Sequence, residues 1–272
     1  MPRPTRTVAG MCFLALSVPA FCGPIIFSVF TNPHPVESAG TISISYAGNK
    51  FVGSVQQDGT GALYSTNLNG GNVQLFAPTV SLAPTSASEH FVASSLGLGG
   101  FPSRDIYVAS GSGVVHITND GTSSNTFVTG LSGTVRGILF DPVGTFGNDM
   151  LVTTTADGVY RVDSVGHATL LASTGEDTEG MDIAPLGGNF GSFDGDLIVG
   201  SEGSGTIRAI APNGSVQVVT IVSGVEEVSF VPLNLGQGGP QEGLYGADYS
   251  IDVVKAAPNQ FTGLLGDLIV TG

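Results

Sequence analysis

An all-β fold of repeated four-stranded units is predicted by three features of the sequence. Short apolar strands recur at a near-constant spacing, glycine-rich turns separate them, and no long helical period survives. The recurring lines are Asp105-Ile-Tyr-Val108, Asp149-Met-Leu-Val152, Asp196-Leu-Ile-Val199 and Gly243-Leu-Tyr-Gly246, with successive starts 44, 47 and 47 residues apart. Four strands per unit at a period near 45 residues is the signature of a β-propeller, whose blades bury their faces only against neighbours.

The elements follow in order within each unit. Ahead of each recurring line lies another strand: EHFVAS from Glu89, VRGILFDP from Val135, TEGMDIAP from Thr178 and VEEVSFVP from Val225. After it, small-residue turns such as Asp157-Gly158 lead into VVHITNDG, VYRVD and TIRAIAPNG, which read as hairpin partners. A fourth strand completes the unit, as in NTFVTG, ATLLAS and VQVVTIV. An earlier unit reads TISISYAG, NKFVGS, ALYSTNLNGG and VQLFAPTV, making five recognisable blades of a ring expected to hold six. The closing GDLIVTG either begins a sixth unit or closes the ring beside IIFSVF from Ile25. It lacks the two strands that follow its counterparts, a pattern that favours C-terminal truncation or imperfect closure.

Composition agrees with this reading. Forty-one glycines, no tryptophan and 11% charged residues suit β-branched strands joined by tight turns. Residues 1–22 carry Arg3 and Arg6 before an apolar run and end in Ala20 and Cys22, the layout of a secretory signal peptide. The alternative, an uncleaved anchor, is interrupted by Pro19 and Pro24; lipidation at Cys22 is disfavoured by the bulk of Phe21. Residues 23–272 then form a single propeller domain, secreted, cell-surface or periplasmic. Cleavage removes both cysteines and leaves six basic against 22 acidic residues. Nucleic acid and anionic membranes are therefore poor partners, since both are held by clustered Lys and Arg. Small-molecule, carbohydrate or protein ligands fit better, and after cleavage no integral membrane association is expected.

The segments EGMDIAP with GDLIVGSEGSGTIRAIAPNG, and RGILFDPVG with NDMLVTTTADGVYRVDSVG, resemble the six-bladed NHL and SMP-30 (gluconolactonase-like) propellers. The likeness covers about Glu89 to Gly214. It implies a propeller fold and leaves activity open, because such folds serve lactone hydrolases, binding modules and scaffolds alike. For a metal-dependent lactone or ester hydrolase it implies one Glu, two Asn and an Asp around a divalent metal. Glu179 fits the Glu role; Asn148, Asn189 and Asn213 lie on different parts of the blade line and give no matched pair.

Candidate site residues come from the start of each inner strand, which opens on the central channel. Glu89, Arg136, Glu179 and Glu226 fall 47, 43 and 47 residues apart, and His90 adjoins the first. On strand parity Glu226 shares a face with Val228 and Phe230, and Glu179 with Met181 and Ile183. These residues read as a ligand-binding ring at one channel mouth. Glu179 with Asp177 offers oxygens to a divalent cation such as calcium, the one cofactor candidate. The competing reading is a solvated salt-bridge cluster in which Arg136 neutralises its acidic neighbours. His34, His90, His116 and His167 show no zinc spacing, and no G-x-S-x-G elbow, P-loop or EF-hand loop is present. A binding or scaffold module is the leading expectation and the hydrolase its rival.

Overall fold

The computed structural model describes residues 12–13, 24–33, 39–249 and 252–272. Apart from Cys12–Phe13, the proposed signal peptide lies outside the described residues, as does His34. Strands β1 (Cys12–Phe13) and β2 (Ser28–Thr31) come first. Four complete units follow. They hold β3 (Thr41–Tyr46), β4 (Phe51–Val55), β5 (Leu63–Thr66) and β6 (Gln74–Leu75); β7 (Val92–Leu96), β8 (Ser103–Ser110), β9 (Gly113–Ile117) and β10 (Ser124–Val128); β11 (Val135–Phe140), β12 (Met150–Thr154), β13 (Gly158–Val162) and β14 (Ala168–Ser173); and β15 (Met181–Ile183), β16 (Leu197–Ser201), β17 (Thr206–Ile210) and β18 (Val216–Ile221). The chain ends with β19 (Glu227–Phe230), β20 (Leu244–Asp248), β21 (Asp252–Ala256) and β22 (Leu268–Thr271).

Each complete unit is an antiparallel sheet in chain order, and two further sheets have the orders β19-β22-β1 and β20-β21-β2. The six sheets form a closed ring because six apolar clusters each bridge one pair of neighbours. Val52 and Leu63 meet Ile106 and Val108; Tyr107 and Val114 meet Met150 and Val152; Leu151 and Val159 meet Leu197 and Val199. Ile198 and Ile207 then meet Leu268 and Val270, Ile269 meets Ala256, and Val253 meets Val55 and Tyr64. Strand alternation explains the pattern. Leu197 and Val199 face one neighbour while Ile198 faces the other, so both faces are apolar and the strand reads as an unbroken hydrophobic run.

Adjacent inner strands run in the same direction around most of the channel. Val92 and Ser94 of β7 donate their N–H groups to Ser43 and Ser45 Oγ of β3, at 3.1 and 2.9 Å. Phe230 of β19 donates to Asp182 of β15 at 2.7 Å. Side chains from one blade thus satisfy the inner-edge amides of the next, which no strand covers.

The fifth unit departs from the sequence reading. Its two recurring lines separate: VEEVSFVP supplies β19, which pairs with β22 of GDLIVTG, whereas Gly243-Leu-Tyr-Gly246 enters β20 of the sixth sheet. The closing strand does not pair with IIFSVF, although Ile25 and Phe27 pack on the cluster that holds Ile269; β2, from that segment, pairs with β21. Strand β20 also runs opposite to its neighbour β3. Thr41 Oγ1, at the start of β3, donates to Asp252 O at 2.9 Å, while Tyr245 stacks near Phe51 at the far end, with centroids 4.9 Å apart. The polarity of β20 is that of a second strand. It occupies the inner position because β19 is already paired with β22.

Candidate functional site

Arg136 sits where β11 carries a register shift between Val135 and Gly137. Such a bulge leaves one residue out of the ladder and re-aims its side chain. Here the guanidinium is turned into the channel mouth with its side chain only 7% exposed. Nη1 donates to Glu89 Oε2 at 2.6 Å and Nη2 donates to Glu179. Asp177 Oδ1 lies 3.5 Å from Nε and Glu202 Oε2 lies 3.9 Å from Nη2. The Nε proton itself has no hydrogen-bond acceptor among the described residues. One cation thus faces four carboxylates, and a surplus of negative charge remains at the mouth.

Two glycines let the walls close around this cluster. A Cβ on Gly137 would stand 2.7 Å from Glu179 O, and one on Gly180 would stand 2.6 Å from both Glu226 O and Glu227 Cα. Gly180 N donates to Glu226 O at 3.1 Å, joining β19 to the segment just before β15. The inner strands of these three blades can approach only because both positions lack a side chain.

Electrostatics follow from this crowding. Burial pushes Glu179 up to about 8; Arg136 pulls the other way, while Glu89, Glu202 and Asp177 reinforce the rise. Glu227 is also pushed to about 8, first by its surroundings and then by Glu179 and Asp182. By surface area its side chain is exposed to solvent. Asp182 rises to about 6 by burial, partly offset by the N–H groups of Phe230 and Ile183. Burial works against the charge on Arg136, but Glu179, Asp177 and Glu89 together outweigh it and hold the guanidinium above its ordinary value.

The structure brings together Glu89, Arg136, Glu179 and Asp177 of the sequence-derived set, and adds Glu202. Two other members fall elsewhere. His90 is fully buried between the first two blades, where Nδ1 lies 2.8 Å from Ala109 O and Nε2 lies 3.1 Å from Asp58 Oδ1. Both ring nitrogens are engaged there, and no contact joins them to Arg136 among the described residues. Glu226 is exposed and makes no ion pair with Arg136 among the described residues; its backbone is held by Thr271 O and Gly180 N. Glu227 instead addresses Glu179. Sequence parity points to Glu226, the neighbour of Glu227 in an adjacent-glutamate pair, and both side chains are exposed. Glu179 and Asp177 are joined through Arg136. Among the described residues no three His, Cys, Asp or Glu side chains form a metal-holding group.

No family model matches the sequence, and no curated protein matches it. Solved structures do match in fold. An auxiliary nutrient binding protein from Bacteroides thetaiotaomicron gives a TM-score of 0.53 at 9% identity, over 87% of this chain and 60% of that one. A catalytically inactive virginiamycin B lyase from Staphylococcus aureus with quinupristin gives 0.51 at 14% identity, over 71% and 61%. A nidogen/laminin complex gives 0.49 at 10% identity, over 69% and 65%. The chain spans less than two thirds of the length of each of these structures. At these identities the likeness is one of fold, and the chain is a β-propeller.

Proposed function

We propose that this chain is an exported, acidic β-propeller of the NHL and SMP-30 kind that acts as a binding module, taking a cationic group at the Arg136 mouth. One observation carries the reading: four carboxylates surround a single guanidinium, so the mouth attracts positive charge while Arg136 fixes its geometry. Asp177 and Glu202, about half exposed, are the members available to a ligand; Glu89 and Glu179 are held by Arg136. Propellers of similar fold include a nutrient-binding protein and a lyase, so the fold alone does not choose between binding and catalysis. The hydrolase alternative draws less support, because Glu179 is already held by Arg136 through Oε2.

Calorimetric titration with a lysine-rich peptide tests the proposal. Binding at low salt, weakened several-fold by Asp177→Asn with Glu202→Gln and by added salt, is the expected result. Absence of binding, or binding indifferent to both substitutions, overturns it. A calcium-induced rise in melting temperature that Glu179→Gln abolishes would replace it with the divalent-cation reading. Sequencing the amino terminus of exported protein tests cleavage after Cys22, which would remove β1 and leave β22 paired with β19 alone.

A further inference from the structure

The basic residues of the described chain divide into two groups. Arg136, Arg161 and Arg208 each pair with carboxylates, Arg161 with Asp149 and Arg208 with Glu176. Lys50, Arg104 and Lys255 have no carboxylate within ion-pairing distance among the described residues, although the chain has 22 acidic side chains. All three lie over aromatic rings. Arg104 Cζ is 5.2 Å from the Tyr46 centroid, Lys255 Nζ 4.9 Å from Tyr245 and Lys50 Nζ 5.4 Å from Phe76.

These groups gather at the end of the ring opposite Arg136. Tyr46 ends β3, whose first residues lie beside His90, and Ser103 at the start of β8 pairs with Leu96 at the far end of β7. Tyr46, Phe51 and Tyr245 form a row of rings with centroids 5.5 and 4.9 Å apart, flanked by Arg104 on one side and Lys255 on the other. Tyr46 is 38% exposed.

The position of Arg104 is enforced. Its φ of +66° is a conformation that non-glycine residues seldom adopt, and such outliers persist only where surrounding structure holds them. Asn119 supplies the hold: its Nδ2 donates to Arg104 O at 2.7 Å and to Ala47 O at 3.0 Å, while its own carbonyl accepts Lys50 Nζ at 2.8 Å. Nearby carboxylates are hydrogen-bonded to other groups, although Asp120 also interacts with Lys50. Asp105 accepts from Asn119 N and lies 2.8 Å from His116 Nε2, and Asp120 accepts from Thr118 and Thr122. The guanidinium of Arg104 has no hydrogen-bond acceptor among the described residues.

We propose that this end of the ring is a second binding site, for a carboxylate carried on a flat-faced ring. The ring lies on the exposed part of Tyr46, and the carboxylate accepts the free N–H groups of Arg104 in the bidentate geometry that guanidinium favours. Lys50 and Lys255 add positive potential on either side. The site differs in sign and chemistry from the Arg136 mouth, so neither proposal depends on the other.

Calorimetric titration at low salt with benzoate and galacturonate, against benzyl alcohol and galactose, tests this site. Acid binding in the millimolar range without binding of the neutral partners is expected. Binding of benzoate alone identifies an aromatic acid, and of galacturonate alone an acidic sugar; either supports the shared chemistry. Arg104→Gly accepts the same positive φ without strain, so it should fold like the parent yet bind the acid at least about tenfold more weakly. Tyr46→Leu should weaken binding in the same direction. Equal binding of acid and neutral ring, unchanged affinity in Arg104→Gly, or no acid binding at millimolar concentration overturns the proposal.

Discussion

Asp182 on one blade accepts the backbone N–H of Phe230 on the next at 2.7 Å, across the inner wall of the channel. Its other oxygen accepts Ile183 N at 2.8 Å. Ser45 does the same for Ser94 between the first two blades. Asp182→Ala should orphan the Phe230 amide and lower stability by about 1–3 kcal/mol in urea unfolding, whereas Asp182→Asn, which keeps an acceptor without a charge, should cost much less.

The channel carboxylates set a pH dependence. Asp182 and Glu227 bind protons more tightly folded, near 6 and 8, than in the unfolded chain, near 4 and 4.5. Stability therefore falls as pH rises through about 4 to 8 and is greater below that window. Glu176, whose carboxyl is lowered on folding, works the other way and withdraws its contribution when acid protonates it. Melting scans should show an optimum near pH 5, and Glu227→Gln should flatten the decline toward pH 8.

Arg136 holds together groups that repel one another. Arg136→Ala should destabilise the domain by about 3–5 kcal/mol, because Glu89 stays enclosed without a counter-charge and Glu179 loses its partner and is driven further toward its protonated form. Adding Glu179→Gln should recover part of that loss, and the double-mutant cycle measures how much. A variant with unchanged melting would show that the carboxylates are solvated and the mouth is looser than described.

Leu197 is fully buried between the third and fourth blades. Leu197→Ala should cost about 2–5 kcal/mol in denaturant unfolding. A neutral result would contradict the assigned facing of β16.

Gly180→Ala would drive a methyl group to within 2.6 Å of Glu226 O and Glu227 Cα. Backbone must shift for it to fit, so a loss of about 1–3 kcal/mol or more is expected, together with a disturbed response of Glu227 to pH.

Much of this architecture is legible in the sequence. The strand lines are continuous apolar runs because both sheet faces pack on neighbours, and their spacing marks the blades. The convergence of Glu89, Arg136 and Glu179 follows from equal spacing in a radial array. Glu227 and Asp182 are less visible, since a single-residue change of register at a strand start decides which side chain meets the channel. The fifth unit misleads for another reason: Gly243-Leu-Tyr-Gly246 has the text and polarity of a second strand, but spacing cannot say which first strand it joins. The Arg104–Tyr46 stack leaves no periodic trace, because it unites the end of one blade's inner strand with a left-handed residue in the next.

The sixth sheet joins strands from opposite parts of the chain. Ser28 and Lys255, hydrogen-bonded partners on adjacent strands, are 227 residues apart, and closing so long a loop costs about 5 kcal/mol in chain entropy. Assembly should therefore proceed from the four locally wired sheets outward, with annealing of the seam as the final and slowest event. During emergence from a ribosome or translocation pore, an arc would precede the finished ring, its unsealed margins open to chaperones or proteases until the late segments arrive.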